Sequence, residues 1–374
     1  MPQIPVNNNG RIVLDYEDSG PPQGTDCTTN YTTIVIAHGL VFYAPVFHRL
    51  LPYAHEHNFR IVLLNMRDYA DSSPFSPSEL GRFSTSPHDA VKEIGHQFAA
   101  FLTGFIQKHQ IPEIKVIKGK QTGGLVFSTW SFSNTFHMSL LGNAHTLPKE
   151  TKTLLSKYWR RSVMYDPAFA NIGAAPPVDV YSPLRDASLS PRARAEKFSD
   201  WVSSYSPPVP AFAIATYTRH DLVARQRRAA DPQYRESLTA DYMRTTTIKH
   251  MSAEELEGMT DFGVVERSTR SMRNVPREIY EDNARRALWE PELDPDSESG
   301  DVTFLNLGVV VLWFDMTIAD CIWAVKVLHD ARIEHSQRRD SRARDVEFVC
   351  LEGLNHFAHW DDPARVMRAL AEHI

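Results

Sequence analysis

Short apolar runs rich in β-branched residues recur along the chain and are separated by longer amphipathic stretches. This alternation predicts a mainly parallel sheet flanked by helices, because parallel strands need crossover connections that helices usually provide. The predicted strands are Thr33–Ala37, Arg60–Leu64, Leu125–Trp130, Ser162–Tyr165, Val309–Trp313 and Val346–Leu351. The predicted helices cover residues 46–57, 87–108, 133–143, 319–331 and 362–373. Arg11–Tyr16 is a candidate antiparallel edge strand.

The alternation breaks between residues 168 and 300. No strong strand pattern occurs there, and eight prolines fall between Pro176 and Pro232, a density that suits short helices joined by rigid turns. The pattern predicts a core domain of residues 1–167 and 301–374, interrupted by a helical cap of residues 168–300. Predicted cap helices cover residues 192–199, 218–230, 234–248, 253–258 and 276–289, followed by an exposed acidic link at 290–300.

Ser131 lies between a predicted strand and a predicted helix. A sharp strand-to-helix turn at this place would expose the hydroxyl above the sheet, as in a nucleophile elbow. The usual elbow pattern is Gly-x-Ser-x-Gly, whereas Thr129 and Ser133 occupy the glycine positions here. The alternative is that Ser131 is a plain N-cap of the following helix.

A second predicted strand ends in His38-Gly39 and leads into an apolar loop. Glycine lets the backbone approach a reacting centre closely. The amide of Leu40 or Val41, together with that of Phe132, could form the pair of donors that stabilises the oxyanion in acyl transfer. We interpret His38 as a buried hydrogen-bonding residue that supports this loop rather than as a base.

The candidate general base is His356, which follows the last predicted strand. An imidazole in a loop at the carboxyl edge of the sheet can reach a serine hydroxyl and act first as a base and then as an acid. The order of Ser131 and His356 along the chain, each following a strand, favours this role. We interpret the neighbouring His359 as structural.

These segments together resemble the α/β-hydrolase superfamily across nearly the whole chain outside residues 168–300. The resemblance implies a Ser/His/acid triad beneath a helical cap. A narrower resemblance, to fungal intracellular α/β-hydrolases, lies in residues 65–75 and in the elbow ending at Asn134. The segments that carry the wider resemblance are residues 37–39, 65–73, 129–134 and 353–360.

The acid of the triad has more than one candidate. In many family members it follows the strand before the last, and here Thr317 occupies the expected position while Asp315 lies two residues earlier. Another branch of the family carries the acid after the strand that follows the nucleophile helix, where this chain has Asp166. We favour Asp166, with Asp315 as the alternative acid and Asp320 as a third. A purely structural Asp166 would cap the turn before Pro167.

Composition narrows the partners and cofactors. The 374 residues include 40 Lys plus Arg and 46 Asp plus Glu, so the net charge of −6 argues against nucleic acid as the main partner. The basic runs 225–228 and 338–344 could bind anions, but we interpret them as solvated surface. Three cysteines without a Cys-x-x-Cys spacing predict neither a disulfide framework nor a metal site. His-Glu-x-x-His and Gly-x-Gly-x-x-Gly patterns are absent, so we expect no metal and no cofactor.

No apolar run approaches the length of a membrane span, and the N-terminus does not resemble a secretory signal. These features predict a cytoplasmic protein without a membrane span.

The combined prediction is a serine hydrolase with Ser131, His356 and Asp166, acting on the carboxylic ester, lactone or thioester of a bulky hydrophobic small molecule. One alternative is that the same triad catalyses cyclisation, transacylation or C–C cleavage. Another is a non-catalytic binding protein on a hydrolase scaffold. Apolar cap residues are expected to cover the carboxyl edge of the sheet above Ser131, among them Trp201, Tyr205, Phe212, Tyr217 and Met243.

Overall fold

The computed structural model describes residues 2–7, 9–23, 30–117, 119–176, 180–239, 245–338 and 342–374. Ten strands are assigned in these ranges: β1 (Gln3–Pro5), β2 (Val13–Asp18), β3 (Thr32–Ala37), β4 (Phe59–Leu64), β5 (Lys115–Ile117), β6 (Lys120–Thr122), β7 (Leu125–Trp130), β8 (Trp159–Tyr165), β9 (Gly308–Phe314) and β10 (Val346–Leu351).

The same ranges contain fourteen α-helices, which are α1 (Leu51–Ala54), α2 (Pro77–Thr85), α3 (Pro87–His109), α4 (Asn134–Gly142), α5 (Lys149–Tyr158), α6 (Pro191–Val202), α7 (Arg219–Ala230), α8 (Pro232–Thr239), α9 (Ala253–Met259), α10 (Arg270–Arg273), α11 (Arg277–Leu288), α12 (Ala319–Ser336), α13 (Ala358–Asp361) and α14 (Pro363–His373). A π-helical turn at Val265–Thr269 precedes α10. None of the described helices is long and apolar enough to cross a membrane.

Eight of the strands form one sheet in the order β1-β2-β4-β3-β7-β8-β9-β10. The six strands from β4 to β10 in this order pair in parallel, whereas β1 and β2 are antiparallel to their neighbours. Every residue of β3, β4, β7 and β9 is buried. Such continuous apolar strands are typical of a parallel sheet covered by helices on both faces. The predicted fold class is therefore confirmed.

All six predicted parallel strands are present, with ends that differ by at most three residues. The candidate edge strand is antiparallel as predicted, but it runs from Val13 to Asp18 and lies second in the sheet, because β1 covers its outer edge. The sequence patterns did not predict α2 and α5. Each is short and buries only one or two residues, Phe83 in α2 and Lys152 with Leu155 in α5, so few apolar positions mark either helix.

The strand order places two loops at the centre of the carboxyl edge. The chain leaves β3 for β4 on one side of the sheet, whereas β7 continues to β8 on the other side. The loops after β3 and β7 therefore diverge at a topological switch point, where open α/β sheets commonly bind ligands.

Residues 168–300 are helical or irregular where the structure describes them, apart from two isolated bridges. They contact the carboxyl edge through several loops: the Asp261 amide donates to Val41 O at 2.8 Å, and the Ser206 amide donates to Met316 O at 2.9 Å. The predicted helix at 234–248 is shorter, since α8 ends at Thr239 and residues 240–244 lie outside the described ranges. The division into core and cap domains stays a prediction.

Candidate active site

Ser131 has a left-handed backbone, with φ of 55°, at the turn between β7 and α4. This conformation costs a non-glycine residue about 1–2 kcal/mol, so the surrounding structure must hold it in place. The Ser131 hydroxyl makes no hydrogen bond to any described residue, and neither the 3-10 turn at Ser131–Ser133 nor α4 has a side-chain N-cap bond. The plain N-cap alternative is therefore wrong, and the side chain is half-buried and unbonded.

A chain of buried polar groups holds this turn where glycines usually stand. Ser162 Oγ donates to His137 Nε2 at 3.0 Å, and His137 Nδ1 donates to Thr129 Oγ1 at 2.8 Å. Thr129 Oγ1 in turn donates to Asn134 Oδ1 at 3.0 Å, and Asn134 Nδ2 donates to the carbonyl of Ser131 at 2.8 Å. Burial lowers the pKa of His137 to about 3, which keeps the ring neutral and able to accept and donate at once.

The second non-glycine position connects the turn to β3. Ser133 Oγ lies 3.0 Å from both Ala37 O and Trp130 O, and it can donate to either. Gly39 allows the close approach of the two loops, because a Cβ added there would lie 3.0 Å from the Cβ of Ser131. Thr129 and Ser133 thus occupy the usual glycine positions and stabilise the turn by hydrogen bonds. The glycine that the turn requires is Gly39, on the neighbouring loop.

The loop after β3 presents one candidate oxyanion donor. The Val41 amide donates to Tyr69 Oη at 3.0 Å, whereas the Leu40 amide donates to no described residue. His38 supports the loop as predicted: the Met66 amide donates to its Nε2 at 3.0 Å, and its Nδ1 donates to Gly39 O at 2.8 Å. Burial lowers the pKa of His38 to about 4, so the ring is neutral near pH 7.

His356 and Asp166 meet in the interior. Nδ1 of His356 lies 2.6 Å from Oδ2 of Asp166, and neither side chain is more than 1% exposed. Because a carboxylate can only accept, the hydrogen lies on Nδ1 and the lone pair of a neutral ring lies on Nε2. Trp130, the residue before Ser131, stacks obliquely on His356 with ring centroids 4.9 Å apart and donates from Nε1 to His356 O at 3.1 Å. The strand that leads into the Ser131 turn is thus tied to the loop that carries His356.

The other two candidate acids lie elsewhere. Asp315 Oδ1 accepts from the Gly353 amide at 2.6 Å, and Asp320 lies 3.7 Å from Arg185 Nη1. Neither carboxylate contacts His356. Burial raises the pKa of Asp315, and it raises that of Asp320 to about 6. The structure brings only Asp166, among the three, to the imidazole.

Sequence reasoning missed several residues that hold the pair. Thr317 Oγ1 donates to Asp166 Oδ2 at 2.5 Å, so the residue at the usual acid position supports the acid from the loop after β9. Asn355 Nδ2 donates to Ser203 O at 2.8 Å and to Thr247 Oγ1 at 2.9 Å, which ties the His356 loop to residues 168–300. The only sequence signal was the place of Thr317 in the family pattern, because the partners of Asn355 are more than 100 residues away.

Asp166, Cys321 and His356 also form the single group within the described ranges whose ligand atoms could surround a metal ion, all lying within 4.8 Å of one another. Metal binding needs a thiolate, but burial raises the pKa of the Cys321 thiol well above its usual value and keeps it protonated. His356 Nδ1 and Asp166 Oδ2 are already bonded to each other. The arrangement fits proton transfer better than metal coordination.

A narrow cavity of about 20 Å³ lies beside Leu40 and Phe132. Its other walls are mostly apolar and come from the core and from residues 264–272, among them Phe75, Val264 and Met272. The predicted cap residues do not line it. Tyr205 and Tyr217 are buried and Trp201 is half-buried, Met243 lies outside the described residues, and the expectation for Phe212 is wrong because its side chain is 86% exposed.

Comparisons with known proteins concern the fold alone. No family model and no curated protein matches the sequence. A variant of the epoxide hydrolase from Solanum tuberosum matches with a TM-score of 0.50 and 13% identity, over 96% of this chain and 94% of that one. A bromoperoxidase from Bacillus anthracis matches with a TM-score of 0.46 and 11% identity, over 99% and 97% of the two chains. Together with the sheet order, the first likeness shows that this chain has the α/β-hydrolase fold, and identities this low show nothing further.

The hydrogen-bonded chain beneath Ser131 predicts that two adjacent buried hydroxyls, those of Thr129 and Ser128, contribute differently to stability. Thr129→Val should lower the free energy of unfolding by about 1–3 kcal/mol, because Asn134 and His137 each lose a buried partner. Ser128 is a matched control, since its buried hydroxyl has no partner within the described part of the chain. Ser128→Ala should change stability by no more than about 0.5 kcal/mol. Urea unfolding measures both, and equal losses would contradict the proposed support of the turn.

Proposed function

We propose that this protein is a serine hydrolase that cleaves the carboxylic ester, lactone or thioester of a hydrophobic small molecule. Ser131 is the nucleophile, His356 the general base and acid, and Asp166 the triad acid. The observation that carries the proposal is the buried 2.6 Å hydrogen bond between His356 Nδ1 and Asp166 Oδ2, tied through Trp130 to the strained turn of Ser131.

The proposed reaction begins when Nε2 of His356 takes the proton of the Ser131 hydroxyl and Oγ attacks the substrate carbonyl. The amides of Leu40 and Phe132 stabilise the oxyanion of the tetrahedral intermediate. His356 then returns the proton to the leaving alcohol or thiol, which yields an acyl-enzyme. A water molecule, activated by His356 in the same way, releases the acid and restores Ser131.

Asp166 is suited to be the acid of the proposed triad. Its Oδ2 accepts from both His356 and Thr317, which fixes the orientation of the carboxylate and of the ring. Its negative charge, in a site from which water is excluded, stabilises the imidazolium that forms when Ser131 loses its proton. The alternative of a non-catalytic scaffold rested on relaxed elbow residues and a missing acid. The strained turn of Ser131 and the contact of Asp166 with His356 support catalysis instead.

The mostly apolar walls of the cavity beside Leu40 and Phe132 favour a substrate with an apolar acyl or alcohol portion. Its present volume of about 20 Å³ has room for roughly one water molecule, so a larger group must displace part of the wall. We propose that residues 168–300 form the cap and that the segment around the π-helical turn at Val265–Thr269 is the wall that moves. Cytoplasmic location and the fungal resemblance stay predictions.

Removal of either reacting group should abolish turnover without unfolding the chain. Ser131→Ala is expected to lower hydrolysis of a p-nitrophenyl ester by a factor on the order of a million, and His356→Ala by a similar factor. The double variant should be little worse than either single one, because the two residues act as a unit. A fluorophosphonate probe should label the wild type and not Ser131→Ala. Activity of Ser131→Ala within tenfold of wild type would exclude this nucleophile.

Substitution of each of the two aspartates that follow β8 and β9 tests which one is the acid of the proposed triad. Asp166→Asn should lower turnover by about 10⁴-fold, because asparagine favours the wrong tautomer of His356. Asp315→Asn is the matched control and should cost much less, since its carboxylate binds the Gly353 amide and not the ring. Steady-state kinetics on the same ester measure both. The reverse ranking would transfer the role to Asp315.

The apolar cavity predicts a preference for longer acyl chains. From p-nitrophenyl acetate to hexanoate, kcat/KM should rise roughly tenfold or more, given about 0.8 kcal/mol for each buried methylene. Met272→Gln should reduce this preference because Met272 lines the cavity, whereas Leu305→Gln, at a partly exposed position away from it, should not. A preference for acetate in the wild type would argue against an apolar acyl site.

A further inference from the structure

A larger cavity, of about 420 Å³, lies among α6, α7, α8 and the start of α12. It shares no lining residue with the cavity beside Leu40 and Phe132, and Ser131, His356 and Asp166 do not line it. Part of its wall is apolar, with Trp201, Pro183 and the alanines at 229, 230 and 319. We call it the α7 cavity.

Arg225 lines the α7 cavity and is 6% exposed. The sequence interpretation of this basic run as solvated surface is therefore wrong at Arg225. Its Nε donates to Pro207 O at 2.6 Å, and its Nη2 donates to Thr317 O at 2.5 Å and to Asp315 O at 3.3 Å. Nη1 makes no hydrogen bond to the described residues, and all three bonds go to neutral carbonyls. Burial lowers the pKa of Arg225 only to about 10, so the group is charged near pH 7.

Three more cations line the α7 cavity: Lys197, Arg227 and Arg235. None of them lies within 4.0 Å of a described carboxylate, whereas Arg192 on the nearby helix α6 pairs with Glu196 at 2.9 Å. Asp200 is the only described carboxylate in the lining, although Asp186 also attracts Lys197 and Asp315 attracts Arg225 from outside it. A buried cation such as Arg225 that is bonded only to neutral carbonyls is costly, and a bound anion would relieve that cost.

We propose that the α7 cavity binds a small organic anion, with its phosphate or carboxylate on Arg225 and the surrounding cations and its apolar body against Trp201. The free Nη1 of Arg225 supplies a fixed donor, and Lys197, Arg227 and Arg235 supply charge at the rim. The amides at the start of α12, next to Ala319, add the positive end of a helix of 18 residues.

The test is a calorimetric titration of the full chain with phenyl phosphate, inorganic phosphate, benzoate and benzyl alcohol in an amine buffer free of phosphate. Phenyl phosphate should bind with one-to-one stoichiometry and at least about tenfold more tightly than inorganic phosphate, because its ring buries apolar area. Benzyl alcohol should not bind measurably. The ranking of phenyl phosphate against benzoate identifies the preferred anionic group.

Two triple variants with equal change of charge separate this site from general electrostatic attraction. Lys197→Gln, Arg227→Gln and Arg235→Gln together remove exposed cations of the cavity, so the fold should persist. Arg11→Gln, Arg332→Gln and Arg368→Gln together remove exposed cations elsewhere. The cavity variant should bind phenyl phosphate at least about tenfold more weakly, and the control within about twofold of wild type. Equal weakening in both variants, or no saturable binding by the wild type, would overturn the proposal.

Discussion

Buried hydrogen bonds and one glycine on the neighbouring loop support the left-handed backbone of Ser131. The bonds run from Ser162 on β8 through His137 and Thr129 to Asn134, which binds the Ser131 carbonyl. Gly39 on the neighbouring loop leaves the space that the Ser131 Cβ occupies. Because these groups are buried and mutually satisfied, the geometry at the end of β7 is rigid, and the loops that carry His356 and Leu40 are arranged around it.

The sequence predicted the sheet well because its parallel strands are buried on both faces. Such strands appear as continuous apolar runs, as in Val309–Trp313, and need no knowledge of their partners. The apolar pattern did not predict α5, because one of its two buried residues is charged. This residue is Lys152, which pairs with Asp294 at 2.5 Å. A charge that is buried by a distant partner gives no periodic signal.

In the candidate site, the contact of His356 with the preferred acid Asp166 was predictable, because both residues follow strands and side chains at strand ends lie at one edge of the sheet. Its supporting groups were not. The basic positions Arg225 and Arg344 looked like solvated surface, yet Arg344 is also buried and donates to Ala287 O at 2.7 Å and Thr303 O at 3.0 Å. The local sequence cannot indicate that these arginines bind carbonyls 41 to 92 positions away along the chain.

The supporting groups connect residues 168–300 to the pair of His356 and Asp166 from two directions. From one side, Ser203 and Thr247 hold Asn355, the neighbour of His356. From the other side, Arg225 binds the carbonyl of Thr317, whose hydroxyl binds Asp166.

Neither connection is made by the residues that close the cavity beside Leu40, which lie between Val264 and Met272. A displacement confined to the turn at Val265–Thr269 would therefore leave the hydrogen bonds of Asn355 and Arg225 in place. The physical consequence is a separation: the wall beside the proposed acyl site can move while the bonds that support His356 and Asp166 stay in place, so admission of a bulky group does not require the proposed triad to loosen.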